Sequence, residues 1–110
     1  MKLPNGDRAV VDDAKLRDYC LSTTHPRGRH KARLFASTLG IRAEHIGLLK
    51  SALLDAVANN DATATRRNAF GQIYEIRFQL RGPTRQAEIL SVWIIRDNDP
   101  APNLVTCYPI

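Results

Sequence analysis

The chain is poor in the residues that announce common chemistries. Its two cysteines, Cys20 and Cys107, form no C-x-x-C or other metal-ligand spacing. They read as buried small hydrophobes rather than as a metal site or a disulfide framework. His25 and His30 are separated by Pro26 and Gly28, and the acidic residues are scattered, so no metal is expected. No glycine-rich turn links a strand to a helix in the manner of a nucleotide-binding loop, and no cofactor is expected. A serine-hydrolase elbow is missing too, which leaves Ser37 and Ser91 as ordinary surface or strand serines. No apolar run approaches membrane-spanning length, and Met1 to Asp7 lacks the apolar core of a signal peptide. On those grounds the chain reads as cytoplasmic, with no membrane partner.

What is present suits one globular domain over residues 1–110. At 110 residues, with 44% hydrophobic and 25% charged side chains, a single core is large enough to need neither disulfide nor metal. The net charge of +5 and a pI near 9.7 favour a polyanionic partner, chiefly RNA, because each neutralised phosphate releases counterions.

Periodicity divides the chain into helices followed by strands. Asp12 or Asp13 caps a short helix reaching about Leu21 that turns Leu16, Tyr19 and Cys20 toward a core. Ser22 to Pro26 interrupts it. A second helix starts near Gly28 and ends at Gly40, and a third runs from about Ala43 to Asn59 with Ile46, Leu49, Leu53 and Val57 on one face. Gly47 weakens that third helix slightly. Beyond Asn60 the period becomes two. Tyr74, Ile76, Phe78 and Leu80 alternate with polar residues, Arg81 to Thr84 is a hairpin turn, and Ala87 to Ile95 is apolar enough for a central strand. Ala62 to Arg67 is a weaker strand, Asp97 to Pro102 a loop, and Asn103 to Tyr108 the last strand. The expected class is α+β, with about three N-terminal helices on one face of a three- to four-stranded antiparallel sheet.

The stretch from His25 to Phe35 concentrates Arg27, Arg29, Lys31 and Arg33 with two of the three histidines, at a proline–glycine turn opening a helix. On a helical wheel Ala32, Leu34, Phe35 and Leu39 mark the apolar arc, and Lys31 falls within it. Arg29, His30, Arg33 and Ser37 lie opposite. An inward ammonium is too costly to keep unpartnered, so Lys31 has to reach a polar group or a cleft. In the last strand Thr106 and Tyr108 share a face, and Lys31 meets them if the second helix packs there. Trp93 in the adjoining strand offers a stacking surface.

Metal-free RNA cleavage needs a base for the 2'-hydroxyl, cations for the phosphorane and an acid for the leaving oxygen. His25 or His30 suits proton transfer; Lys31 and Arg29 suit charge stabilisation. Thr106 and Tyr108 would position the phosphate, with Arg27, Arg29, Arg33 and Trp93 as RNA contacts. The plainer alternative has His25 capping a turn, His30 and the arginines forming a solvated face, and Lys31 snorkelling to the core edge. In that case the chain is a non-catalytic basic module that binds RNA or an acidic protein. A third possibility, that the chain is itself the inhibitor of an RNase, sits poorly with its basic charge.

Two segments, Lys15-Leu16-Arg17-Asp18-Tyr19-Cys20-Leu21 and His25 to Phe35, resemble a bacterial family of unknown function found alone and at the C-termini of polymorphic toxins and phage-like proteins. Gly71-Gln72-Ile73-Tyr74, Trp93-Ile94-Ile95 and Leu104-Val105-Thr106-Cys107-Tyr108 extend the resemblance over nearly the whole chain. The closing Thr-x-Tyr-Pro and the helices-then-sheet order are similar to the barnase, EndoU, colicin and RelE-like (BECR) superfamily of metal-independent RNases. The resemblance implies a small toxin RNase neutralised by an antitoxin or immunity protein, expected to be acidic. Its implied site combines His25 and Lys31 with Thr106 and Tyr108, and has Arg29 and His30 as neighbours.

Overall fold

The computed structural model describes residues 1–110, an α+β arrangement of three helices packed against a four-stranded antiparallel sheet. The Asp12 carboxylate accepts from the Ala14 amide at 2.8 Å and starts helix α1, which is α-helical over Asp13–Lys15 and π-helical over Leu16–Cys20. Helix α2 is α-helical over Arg29–Leu34 and π-helical over Phe35–Leu39. It stops where Gly40 turns left-handed at φ 73° and the Ile41 amide bonds back to the Phe35 carbonyl, a position that favours a residue without Cβ. A 3-10 turn, Ala43–His45, leads into α3, Ile46–Asn59.

Strands β1 (Ala62–Arg67), β2 (Gly71–Arg81), β3 (Gln86–Arg96) and β4 (Asp99–Pro109) lie in chain order, each antiparallel to the next. Alternation fixes what faces the helices. Tyr74, Ile76 and Phe78 of β2 pair with Trp93, Ser91 and Ile89 of β3, and this side meets Leu16, Cys20, Phe35, Leu39, Leu49 and Leu53 in one core. On the other side Ile73 pairs with Ile94, and both are buried, as is Leu90.

Strand β4 begins earlier than the sequence suggests, at Asp99 rather than Asn103. Pro100 and Pro102 are tolerated because β4 is an edge strand, where a missing N–H interrupts no outer ladder. The expected loop shrinks to a tight turn at Asp97 and Asn98. A bulge then resets the register. Trp93 pairs with Leu104, yet Val92 pairs with Thr106, so Val105 is the extra residue. Leu104 and Cys107 are three apart and would face opposite ways in a regular strand; the bulge brings both into the core.

Trp93 corrects an expectation. It is 0% exposed, packed in the core with its Nε1 donating to Ser91 Oγ at 3.0 Å, and that hydroxyl in turn donates to the Ile76 carbonyl at 2.9 Å. A buried indole with a satisfied N–H offers no face to an RNA base. Leu34 also departs from the wheel, at 44% exposed. The buried arc of α2 is the narrower one formed by Ala32, Phe35 and Leu39, which leaves Leu34 on the outer side.

If Trp93 is a structural pillar, Trp93→Ala should lower unfolding free energy by about 3–5 kcal/mol through loss of contacts and the cavity left behind. Denaturant unfolding followed by far-ultraviolet circular dichroism measures this. A loss under about 1 kcal/mol would contradict the assignment.

Candidate functional site

The site gathers where α1 ends, α2 begins and β4 runs along the sheet edge. Its geometry starts with a turn. Ser22 Oγ accepts from the Thr24 and His25 amides, and His25 Nδ1 accepts from the amides of Arg27 and Gly28, each at 3.0 Å. Accepting two N–H groups commits the Nδ1 lone pair and places the proton of the neutral ring on Nε2. His25 therefore caps the turn into α2 and presents a donor outward. Its ring stands edge-on to Tyr19, with centroids 4.9 Å apart and planes at 89°.

Gly28 sits at the crossing of α1 and α2. A Cβ there would lie 2.1 Å from the Tyr19 carbonyl oxygen, so only glycine permits this approach. The φ of −87° is ordinary; space, not backbone conformation, imposes the requirement. The next turn of α2 delivers Lys31 to β4. Its Nζ donates to Thr106 Oγ1 at 3.4 Å and stands 4.8 Å from the centre of the Tyr108 ring and 6.0 Å from that of Tyr19. The ammonium is thus held by a hydroxyl and by two aromatic faces. No carboxylate lies within ion-pair distance of it.

Thr106 and Tyr108 lie opposite Val92 and Leu90, while Cys107 between them pairs with Ser91 of the core face. Thr106 is nearly buried and Tyr108 partly so. The phenol meets Lys31 through its ring, and its hydroxyl makes no hydrogen bond within the fold. Beneath these residues lie the buried, free thiols of Cys20 and Cys107, each acting on the other. The neighbouring Cys107 draws the Cys20 thiol down to about 7, against the effect of burial and with help from Lys15 and Thr106. The proximity of Cys20 and burial push the Cys107 thiol up.

Two members of this cluster escape a reading by charge alone. Lys15 Nζ donates to the Val105 carbonyl at 3.2 Å, covering the edge exposed by the bulge, and lies 5.8 Å from the Tyr19 ring centre. Tyr19, expected only as a core residue, is half-buried and forms the wall between Lys15, His25 and Lys31. Their spacing of four along α1 was the available signal, since it puts both on one helical face. The remaining sequence candidates stay outside. His30, Arg27, Arg29 and Arg33 are exposed, in no ion pair and with no side-chain hydrogen bond.

The family pattern of a domain of unknown function, DUF6883, matches residues 2–110. The chain belongs to that family. No curated protein and no solved structure matches it. No helix of the domain is long and apolar enough to cross a membrane.

The Gly28 contact makes a geometric prediction. Gly28→Ala forces α1 and α2 apart, so it should destabilise the fold by about 1–3 kcal/mol, the usual cost of overpacking. It should also shift the Tyr19 and His25 ring resonances in a proton NMR spectrum. Unchanged spectra and unfolding midpoint would show that the contact is slack.

Proposed function

We propose that this domain is a toxin-type, metal-independent endoribonuclease that cleaves RNA, with tRNA among the targets, by transesterification to a 2',3'-cyclic phosphate. The observation that carries the proposal is Lys31, an ammonium placed against Thr106, Tyr108 and Tyr19 with no carboxylate to neutralise it. A cation retained without a counter-ion keeps its potential for an incoming phosphate. Lys15 adds a second positive charge beside Tyr19.

In the reaction, the 2'-oxygen attacks the adjacent phosphorus as its proton is taken up, and the P–O5' bond breaks as a proton reaches the 5'-oxygen. Lys31 balances charge on the phosphorane oxygens, Thr106 orients them, and His25 Nε2–H donates a hydrogen bond. His25 in this turn is not a base, because Nδ1 is already accepting and Nε2 carries the proton. The proton-transfer candidate within the cluster is the hydroxyl of Tyr108, beside Lys31; His30, on the exposed face of α2, lies outside the cluster. Arg27, Arg29 and Arg33 on the exposed face attract the RNA backbone. An acidic antitoxin or immunity protein covering the same surface would silence it.

A second assignment has one observation in its favour: the Nδ1 of His25 is used as a turn cap. In that case the domain is a non-catalytic RNA-binding module.

Incubation with total RNA and purified tRNA in excess EDTA separates the two. The nuclease assignment expects fragments ending in 2',3'-cyclic phosphate, and intact RNA at stoichiometric protein refutes it. Lys31→Ala should slow cleavage about 100- to 1,000-fold, the typical loss on removing one charge-stabilising donor. Cleavage by Lys31→Ala at the wild-type rate would overturn the site while leaving the activity.

A further inference from the structure

The hairpin joining β1 to β2 carries the most exposed large apolar side chain of the molecule, Phe70, at 70% exposure. It is not there through slackness of the loop. Asn68 Oδ1 accepts from the amides of Phe70 and Gly71 at 2.8 and 3.0 Å, the Asn68 amide bonds to the Gly71 carbonyl, and the Asp97 amide bonds to the Phe70 carbonyl. The backbone on both sides of the phenyl ring is thereby tied to its own turn and to the β3–β4 turn. Gly71, next in sequence, pairs with Arg96 and accommodates no Cβ against the Ile95 carbonyl.

The charges at this end of the sheet are Arg66, Arg67 and Arg96 against Asp97 and Asp99, an excess of one positive charge. Arg66 and Arg96 are exposed and in no ion pair, whereas Arg67 is neutralised by Asp97. An exposed aromatic ring on a tethered turn, with unpaired arginines on the neighbouring strands, matches single-stranded nucleic acid: the ring stacks on a base of any identity, and the cations track phosphates.

We infer that Phe70, with Arg66 and Arg96, is a base-stacking subsite for single-stranded RNA, distant from the Lys31 cluster. The inference rests on RNA being the ligand of that cluster. It gives the domain the exposed aromatic surface that buried Trp93 cannot supply. Along β3 the partners of Tyr108 and Gly71 are Leu90 and Arg96, so roughly 20 Å of strand lies between the two places. A ligand engaging both spans several nucleotides, and short fragments lose the Phe70 contact.

The test is fluorescence anisotropy with a labelled 2'-O-methyl oligoribonucleotide of about ten nucleotides, within the site sizes of roughly 4–16 nucleotides seen for such grooves. Blocking the 2'-hydroxyl prevents cleavage during the measurement. Phe70→Ala and Phe70→Leu should each weaken binding about five- to 150-fold, the equivalent of roughly 1–3 kcal/mol for one stacked base. Phe70→Tyr should bind as wild type does. A dinucleotide should not distinguish the four proteins, and Arg66→Ala and Arg96→Ala should each flatten the salt dependence by about one unit of slope. Binding of the long oligonucleotide by Phe70→Ala within twofold of wild type overturns the subsite. Equal losses for Phe70→Tyr and Phe70→Leu overturn it as well. A poly-glutamate chain that binds with the same Phe70 dependence also overturns it, in favour of a docking face for an acidic protein. Cleavage of RNA in EDTA by wild type alongside indifferent Phe70 variants sinks the subsite alone. Phe70-dependent binding without cleavage sinks the nuclease and spares the subsite.

Discussion

At the crossing of α1 and α2 the Gly28 backbone lies where a side chain would strike the Tyr19 carbonyl, and the placing of the site residues that α1 and α2 carry follows from that approach. It brings Tyr19 edge-on to His25, sets the start of α2 beside β4, and so carries the Lys31 ammonium to Thr106. His25 serves the same junction from the other side by accepting the two amides that precede α2. A residue selected from the sequence for its proton chemistry is here first a structural clamp. The two uses compete, because a nitrogen that accepts from backbone amides is not free to accept from a nucleotide.

The electrostatics of the cluster are those of a cation left without a partner ion. A half-buried ammonium needs compensation for lost hydration. A carboxylate would give the most, but it would also cancel the charge. Thr106 and the faces of Tyr108 and Tyr19 compensate part of the cost and leave the sign intact. Lys15 is handled in the same manner, by the Val105 carbonyl and the Tyr19 ring. Ion pairs elsewhere, such as Lys50 with Asp13, are exposed and add little to stability. Their presence shows that carboxylates were available to the fold and are placed away from the cluster.

Helices and strands were legible because period is local. The three helical segments and the β1 and β2–β3 spans follow from caps, glycines and alternation that each residue expresses within a few neighbours. The start of β4 was not, since Pro100 and Pro102 read as a loop until the strand is known to be an edge. The inward direction of Lys31 came from the wheel, and Thr106 with Tyr108 from strand alternation. Trp93 misled for the opposite reason: an indole in an apolar strand looks the same on paper whether it faces a core or a ligand, and the helix layer that covers it comes from residues far away in sequence.

The sequence by itself determined the α+β class, the basic charge and the short list of groups able to handle a phosphate, all of which depend on composition or on spacing within one element. Only the tertiary structure decided which of those groups meet. Contact between Lys31 and Thr106 spans most of the chain and depends on a glycine crossing at one end and a bulge at Val105 at the other. Neither has a periodic signature, because each exists only when two separate segments are already pressed together.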